Sequence, residues 1–157
     1  MMAAVIDGLG PTSLYSSDEP KAAETAGIVG GRVDLPVKVV PGLQEHIRTR
    51  VPFSTTAERD AAVIDSIRRP DQLVYGSETT GTAERRFTTA LEGALTDAPA
   101  GDVAVVSHGT VISMFVAELT GLDAVEIWSS FGLPGFVVVR WPEADGIEFQ
   151  WNYGEGD

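Results

Sequence analysis

Residues 101–119 read GDVAVVSHGTVISMFVAEL. Val103, Ala104, Val105 and Val106 form an unbroken apolar run behind a Gly-Asp turn, the pattern of a strand buried on both faces of a parallel sheet. The period then changes. Val111, Ile112, Phe115, Val116 and Leu119 share one face of an amphipathic helix. Between the two periods stand Ser107, His108 and Gly109, so a histidine lies where a buried strand ends and a helix begins. Ligands of open α/β sheets bind at such junctions. The free amides of the helix start favour an anion, and Gly109 lets a ligand approach the backbone. The same position also suits a buried imidazole hydrogen-bonded to a neighbouring carbonyl.

Working outward, the pattern predicts a helix tail over Met1 to Leu9, a short strand over Thr12 to Ser16, and a helix from about Pro20 to Val29, closed by Gly30, Gly31 and Arg32. Ser17 or Asp18 is placed to cap that helix, and Lys21 lies in its first turn, either solvated or leaning back over the strand end. Val37 to Val40 reads as the next strand. The segment LQEHIRTR follows it, with Glu45 among His46, Arg48 and Arg50 in a mixed-charge loop that suits a proton donor or an ordinary surface ion pair. Thr55 to Arg68 reads as a helix with a capping threonine and Ala61, Ala62, Ile64 and Ile67 inward. A second helix spans Thr82 to Leu95, with Ala83, Phe87, Ala90, Leu91 and Ala94 as its stripe and Arg86 at the stripe's border. Trp128 to Gly135 reads as irregular, and Phe136 to Trp141 pairs with Ile147 to Trp151 as an antiparallel hairpin. Strands alternating with helices predict an α/β sandwich with a mostly parallel sheet and no internal domain boundary.

Composition narrows the function. The chain has 157 residues, 43% hydrophobic, and no cysteine, so it reads as one domain without disulfides, a cysteine nucleophile or thiolate metal sites. With His46 and His108 as its two histidines, no metal is expected. A net charge of −12 argues against nucleic-acid and anionic-membrane binding, which need a basic face. No apolar run approaches the roughly 20 residues of a membrane span, and the default expectation is a cytoplasmic protein without cofactors.

Four segments, in order, resemble the histidine phosphatase, or phosphoglycerate mutase-like, superfamily. LYSSDEPKAAETA is similar to the family's second strand and helix, and VVPGLQEH to the segment with the acidic proton donor. YGSETTGTAERRF resembles a Gly-Glu-Ser type helix start with its later arginine, and VAVVSHGTVISMF the segment with the second catalytic histidine. The resemblance implies a three-layer sandwich with helices on both sides of the sheet. It implies that His108 contacts a phosphoryl group and stabilises its developing charge, and that Glu45 protonates the leaving oxygen. Lys21 stands where most members have a phosphate-gripping arginine, keeping the charge without the fork. Ser17, Gly109 and Thr110 are implied as further phosphate contacts, with inorganic phosphate or a phosphorylated small molecule as the ligand.

One departure stands out. Family members open with a strand ending in Arg-His-Gly, whose histidine is the nucleophile, and this chain has no Arg-His-Gly. Met1 to Gly10 is similar instead to the helix after that strand, so the expectation is a domain lacking its first strand and unable to form a phosphoenzyme. Three readings stay open: a fragment or misassigned start of a phosphohydrolase, a degenerate relative that binds a phospholigand or a protein partner, and a generic α/β domain with an anion site at Gly109. A sheet without that strand has exposed edges, so a homodimer or a tendency to aggregate is expected.

Overall fold

Strand β1, Ser13–Ser16, is buried at all four positions, which requires cover on both faces of the sheet. The computed structural model describes residues 2–49, 51–52, 54–132, 135–140 and 147–150. β1 pairs in parallel with β2, Val37–Val39, and with β3, Val103–Val106, giving the order β2-β1-β3. Leu14 stands opposite both Val37 and Ala104, and Ser16 opposite Val39 and Val106, so the three strands end together.

Successive side chains of β1 face opposite layers. Leu14 meets helix α2, Pro20–Val33, where a Cβ on Gly30 would lie 2.8 Å from the Leu35 carbonyl oxygen and 3.3 Å from Leu14 Cδ2. Helix α1, Met2–Leu9, packs on α2. Tyr15 belongs to the opposite layer, a core of Leu43, Phe87, Leu91, Val111, Phe115 and Val116 supplied largely by α4, Thr80–Asp97, and α5, Gly109–Thr120. Val111 and Val116 are fully buried, each stabilising the fold by about 1.5–3 kcal/mol. The Phe87 and Phe115 rings meet edge to face at 5.6 Å. Helix α3, Thr56–Arg68, and α6, Ala124–Ser130, pack on each other, and α6 also packs on α5. The result is the three-layer α/β arrangement with a parallel sheet. Among the described residues no helix is long and apolar enough to cross a membrane.

Five local expectations need correction. The helix after β1 does not stop at Gly30 but runs to Val33, ending at Asp34 in the left-handed region (φ 54°), whose N–H returns to the Gly30 carbonyl. Gly30 is there for close packing on β1 and β2 rather than as a stop. The N-cap of α2 is Glu19, not Ser17 or Asp18, and it makes no side-chain capping bond. The inward face of α3 carries Val63, Ser66 and Ile67 rather than Ala61, which is exposed. Its register is set by the capping box of Thr55 and Glu58, and the Thr80 hydroxyl donates to the Ser66 carbonyl (2.7 Å). The stretch expected to be irregular begins inside α6, whose N-terminus is capped by the Asp123 carboxylate on the amides of Val125 (2.8 Å) and Glu126 (2.9 Å).

The fifth correction concerns β3, which is half-buried at every position rather than fully buried. Its described ladder partner is β1 alone. The hairpin of β4, Phe136–Val139, and β5, Ile147–Gln150, is antiparallel as expected but forms a separate sheet. A cavity of about 160 Å³ lies between Val103, Val105 and Ser107 on one side and Val137 and Val139 on the other, floored by Phe87, Leu91 and Ile112. The expected hairpin ends, Trp141 and Trp151, and Met1 lie outside the described residues.

Candidate functional site

The common end of β1, β2 and β3 gathers the chain's polar chemistry. Each strand runs directly into a segment carrying an expected site residue: Ser17 after β1, Glu45 after β2, His108 after β3. Ser17 is fully buried, and its amide donates to the Val106 carbonyl at 3.0 Å, which ties the β1 end to the β3 end. The Ser17 hydroxyl lies 3.0 Å from His108 Nε2 and accepts from the Glu19 amide at 3.2 Å. His108 is the N-cap residue of α5 in extended backbone (φ −128°, ψ 154°), with its imidazole in this crevice rather than on the helix amides. Its Nε2 is also 3.6 Å from Glu19 Oε2, an ion pair whenever the ring is protonated.

Glu45 reaches the same place from the loop after β2. Its Oε1 accepts from the His46 amide (2.8 Å), and its Oε2 accepts from the Thr110 amide (3.3 Å) in the first turn of α5. Its own amide donates to Glu19 Oε1 at 2.9 Å. Thr110 is buried, and its hydroxyl accepts from Arg48 Nη2 at 2.7 Å; that nitrogen lies 3.8 Å from Glu45 Oε2. Gly109 keeps the helix start open, since a Cβ there would meet nothing within 4 Å. Ser17, Glu45, His108, Gly109 and Thr110 are therefore brought together. Lys21 is not in contact with them. It is exposed in the first turn of α2, and its ammonium makes no hydrogen bond or ion pair among the described residues.

Arg86, Glu78 and Ser107 hold the Glu45 loop in place. Arg86 Nη1 donates to the carbonyls of Gly42 (2.7 Å) and Gln44 (3.0 Å), and Nη2 to the Glu45 carbonyl (3.0 Å) and Glu78 Oε1 (2.7 Å). Glu78 in turn accepts from the Ile47 amide through Oε1 (2.9 Å), and its carbonyl lies 2.8 Å from His46 Nε2. Gly76 makes the last approach possible: at φ 95° a Cβ would lie 2.5 Å from the Ile47 carbonyl oxygen. His46 is thus buried and held by backbone, facing Glu78 rather than the crevice. The Ser107 hydroxyl donates to the Leu43 carbonyl (2.7 Å), anchoring the loop to β3 as well.

Sequence reasoning missed three contributors, Glu19, Arg48 and Glu78, and marked a fourth, Arg86, only as a border residue that could reach inward. Glu19 looked like an ordinary residue before a helix, although its spacing after Ser17 places its carboxylate beside His108. Arg48 was visible only as part of a mixed-charge loop. Glu78 and Arg86 stood in one motif eight residues apart, and the border position of Arg86 on an apolar stripe was the signal that it turns inward. Among the described residues no group of three His, Cys, Asp or Glu is placed to hold a metal ion.

The arrangement offers neutral and cationic donors at a helix start, an imidazole, and carboxylates, as general acid–base chemistry on an anionic ester requires. Solved structures share the fold. The chain superposes on a mycobacterial glucosyl-3-phosphoglycerate phosphatase solved with VO3 at a TM-score of 0.71, with 23% identity over 96% of this chain and 80% of that one. A structure titled mycobacterial hydrolase 1 gives 0.66 and 25% identity over 83% and 68% of the two chains. The alpha-ribazole phosphatase of Shigella flexneri gives 0.60 and 19% identity, over 88% and 75%. No curated protein matches the chain. The family model of the histidine phosphatase superfamily (branch 1) matches residues 2–151, and the chain belongs to that superfamily.

Proposed function

We propose that this domain binds inorganic phosphate or a phosphate monoester at the shared end of β1, β2 and β3, and that by itself it does so without turnover. The observation that carries the reading is the convergence of Ser17, Glu45 and His108, with the Thr110 amide beside His108, in one network from the ends of β1, β2 and β3. In this reading the α5 amides and the Ser17 hydroxyl hold the phosphoryl oxygens, His108 stabilises the charge that builds on them, and Glu45 is the acid beside the ester oxygen. Lys21, exposed in the first turn of α2 and without an ion pair among the described residues, is the cation this reading assigns to the ligand.

Turnover through a phosphohistidine needs a nucleophilic histidine besides the one that stabilises charge. His46 is not available for it, being buried with its Nε2 on the Glu78 carbonyl. A cytoplasmic setting accords with the composition and belongs to the same reading.

The test is a melting curve in phosphate, vanadate or sulfate against chloride at matched ionic strength. At a hundred times the dissociation constant the gain is about 2.7 kcal/mol, several degrees for a chain of this size. Lys21→Ala and His108→Ala should each reduce the shift. Arg59→Ala, on the exposed face of α3 and paired only with its neighbour Asp60, should not. Hydrolysis of a generic phosphate monoester should stay at background. Turnover abolished by His108→Ala would overturn the non-catalytic half of the reading and make His108 a nucleophile.

A further inference from the structure

We propose that the anion seat of this site is occupied by the protein's own Glu45 carboxylate, and that Arg48 is the guanidinium that passes from that carboxylate to an incoming phosphate. This rests on the phosphate reading above and adds to it a competitor and a cation.

Glu45 Oε2 is at the meeting point of the two cationic features of the crevice: the Thr110 amide at the positive end of α5, and Arg48 Nη2. Both contacts are long. The amide bond is 3.3 Å and the guanidinium 3.8 Å away, against about 2.7–2.9 Å for a well-seated charge-assisted bond. A tetrahedral phosphoryl group carries more oxygens and more charge, and it suits donors spaced in this way.

Arg48 is arranged as a donor in reserve. Its guanidinium lies over the Tyr75 ring at 5.8 Å from the ring centre, and Nη2 donates one bond to Thr110 Oγ1 at 2.7 Å. Its Nε is buried and has no acceptor among the described residues. A buried donor without an acceptor is costly, so the position favours a ligand that lets the guanidinium rearrange onto it.

A dianion and the Glu45 carboxylate cannot share this seat, because like charges at contact distance repel strongly even in partly solvated surroundings. What moves is the side chain alone. The Glu45 backbone is pinned on both sides, its amide on Glu19 Oε1 and its carbonyl under Arg86 Nη2. Rotation about the side-chain torsions lifts the carboxylate off the helix start and leaves it above the bound anion, where an acid acting on the ester oxygen belongs.

Titration of the intact chain with inorganic phosphate, followed by calorimetry and by the Thr110 amide resonance, tests this. Glu45→Gln should bind phosphate roughly tenfold more tightly than the native chain, since the competing charge is gone. Arg48→Ala should bind roughly tenfold more weakly, and Arg48→Lys should fall between, keeping charge but not the fork. A purely structural role for Glu45 predicts the opposite sign for its variant. Native binding with Glu45→Gln no tighter, or with Arg48→Ala no weaker, overturns the self-occupied seat and leaves the phosphate site standing. Phosphate binding by none of these proteins overturns both.

Discussion

Replacing Arg86 by methionine keeps the aliphatic stem and removes the guanidinium, which isolates the clamp on the Glu45 loop. The guanidinium makes three bonds to backbone carbonyls, at 2.7–3.0 Å, a longer one to the Gln44 side-chain oxygen at 3.3 Å, and one to the Glu78 carboxylate at 2.7 Å. The Arg86 and Glu78 side chains are 24% and 12% exposed, so the pair is neither a surface bridge of negligible worth nor a fully desolvated one. Charged donors contribute about 1.5–3 kcal/mol each when their partners are left unsatisfied, but water can reach part of this cluster and restore some of that. A net loss of about 3–4 kcal/mol follows, roughly 10 °C in Tm at this chain length. Urea unfolding gives the free energy, and hydrogen exchange localises it. The amides of Leu43, Glu45 and Ile47 should lose protection ahead of those in α5, because the loop opens without the rest of the domain. Arg59→Met serves as the control and should stay within about 0.5 kcal/mol. A loss below about 1 kcal/mol, or uniform loss of protection, would refute the clamp.

Two further outcomes follow from other parts of the fold. The Glu58 carboxyl is held below its ordinary value of 4.5, first by the Thr55 amide and then by the Thr55 hydroxyl, with burial opposing weakly. A depressed carboxyl contributes stability above its unfolded value and loses it as pH falls through the folded one. Melting temperature should therefore drop below about pH 4.5, and Glu58→Gln should flatten that part of the profile. At the far edge of β3, the apolar cavity between β3 and β4 presents strand edges and alternating valines, which invites pairing with another chain. Light scattering should show a dimer or larger species, and a clean monomer at high concentration would count against it.

The parts of this molecule legible in sequence are those where one local signal dominates. The change of period at Ser107 to Gly109 placed a strand end and a helix start within a residue of where they lie, because burial and helical amphipathicity are local patterns. Glu45 and His108 both meet Glu19 and lie at the start of α5, although they are far apart in sequence. What failed was everything that depended on a neighbour. Gly30 reads as a stop by composition, yet it lies inside a helix because Leu14 and the Leu35 carbonyl press against it. The valines of β3 read as fully buried, yet a strand's burial depends on what flanks it on both sides, and among the described residues β3 has a ladder partner on one edge only. Arg48, Glu78 and Arg86 gave only weak signals, since a charged residue near a loop is common and its partner is set by tertiary contact.

Glu19 beside His108 and Glu45 on the Thr110 amide are a strange lining for the proposed anion site in a chain of net charge −12, and their placement explains how its donors are satisfied by the protein itself. A helix start, an arginine and an imidazole pointed at one crevice would leave donors unsatisfied unless something anionic sat among them. Glu45 takes the Thr110 and His46 amides, and Glu19 takes the Glu45 amide and lies against His108. The remaining acidic residues matter far less, because at physiological salt a charge beyond about 8 Å is largely screened while these contacts are near 3 Å. On the proposed reading, phosphate would therefore meet its opposition from the carboxylates that hold its donors in place, and not from the protein's overall charge. Such a site should bind weakly, its affinity should rise when Glu45 is neutralised, and raising the salt concentration should change it much less than a purely long-range repulsion would require.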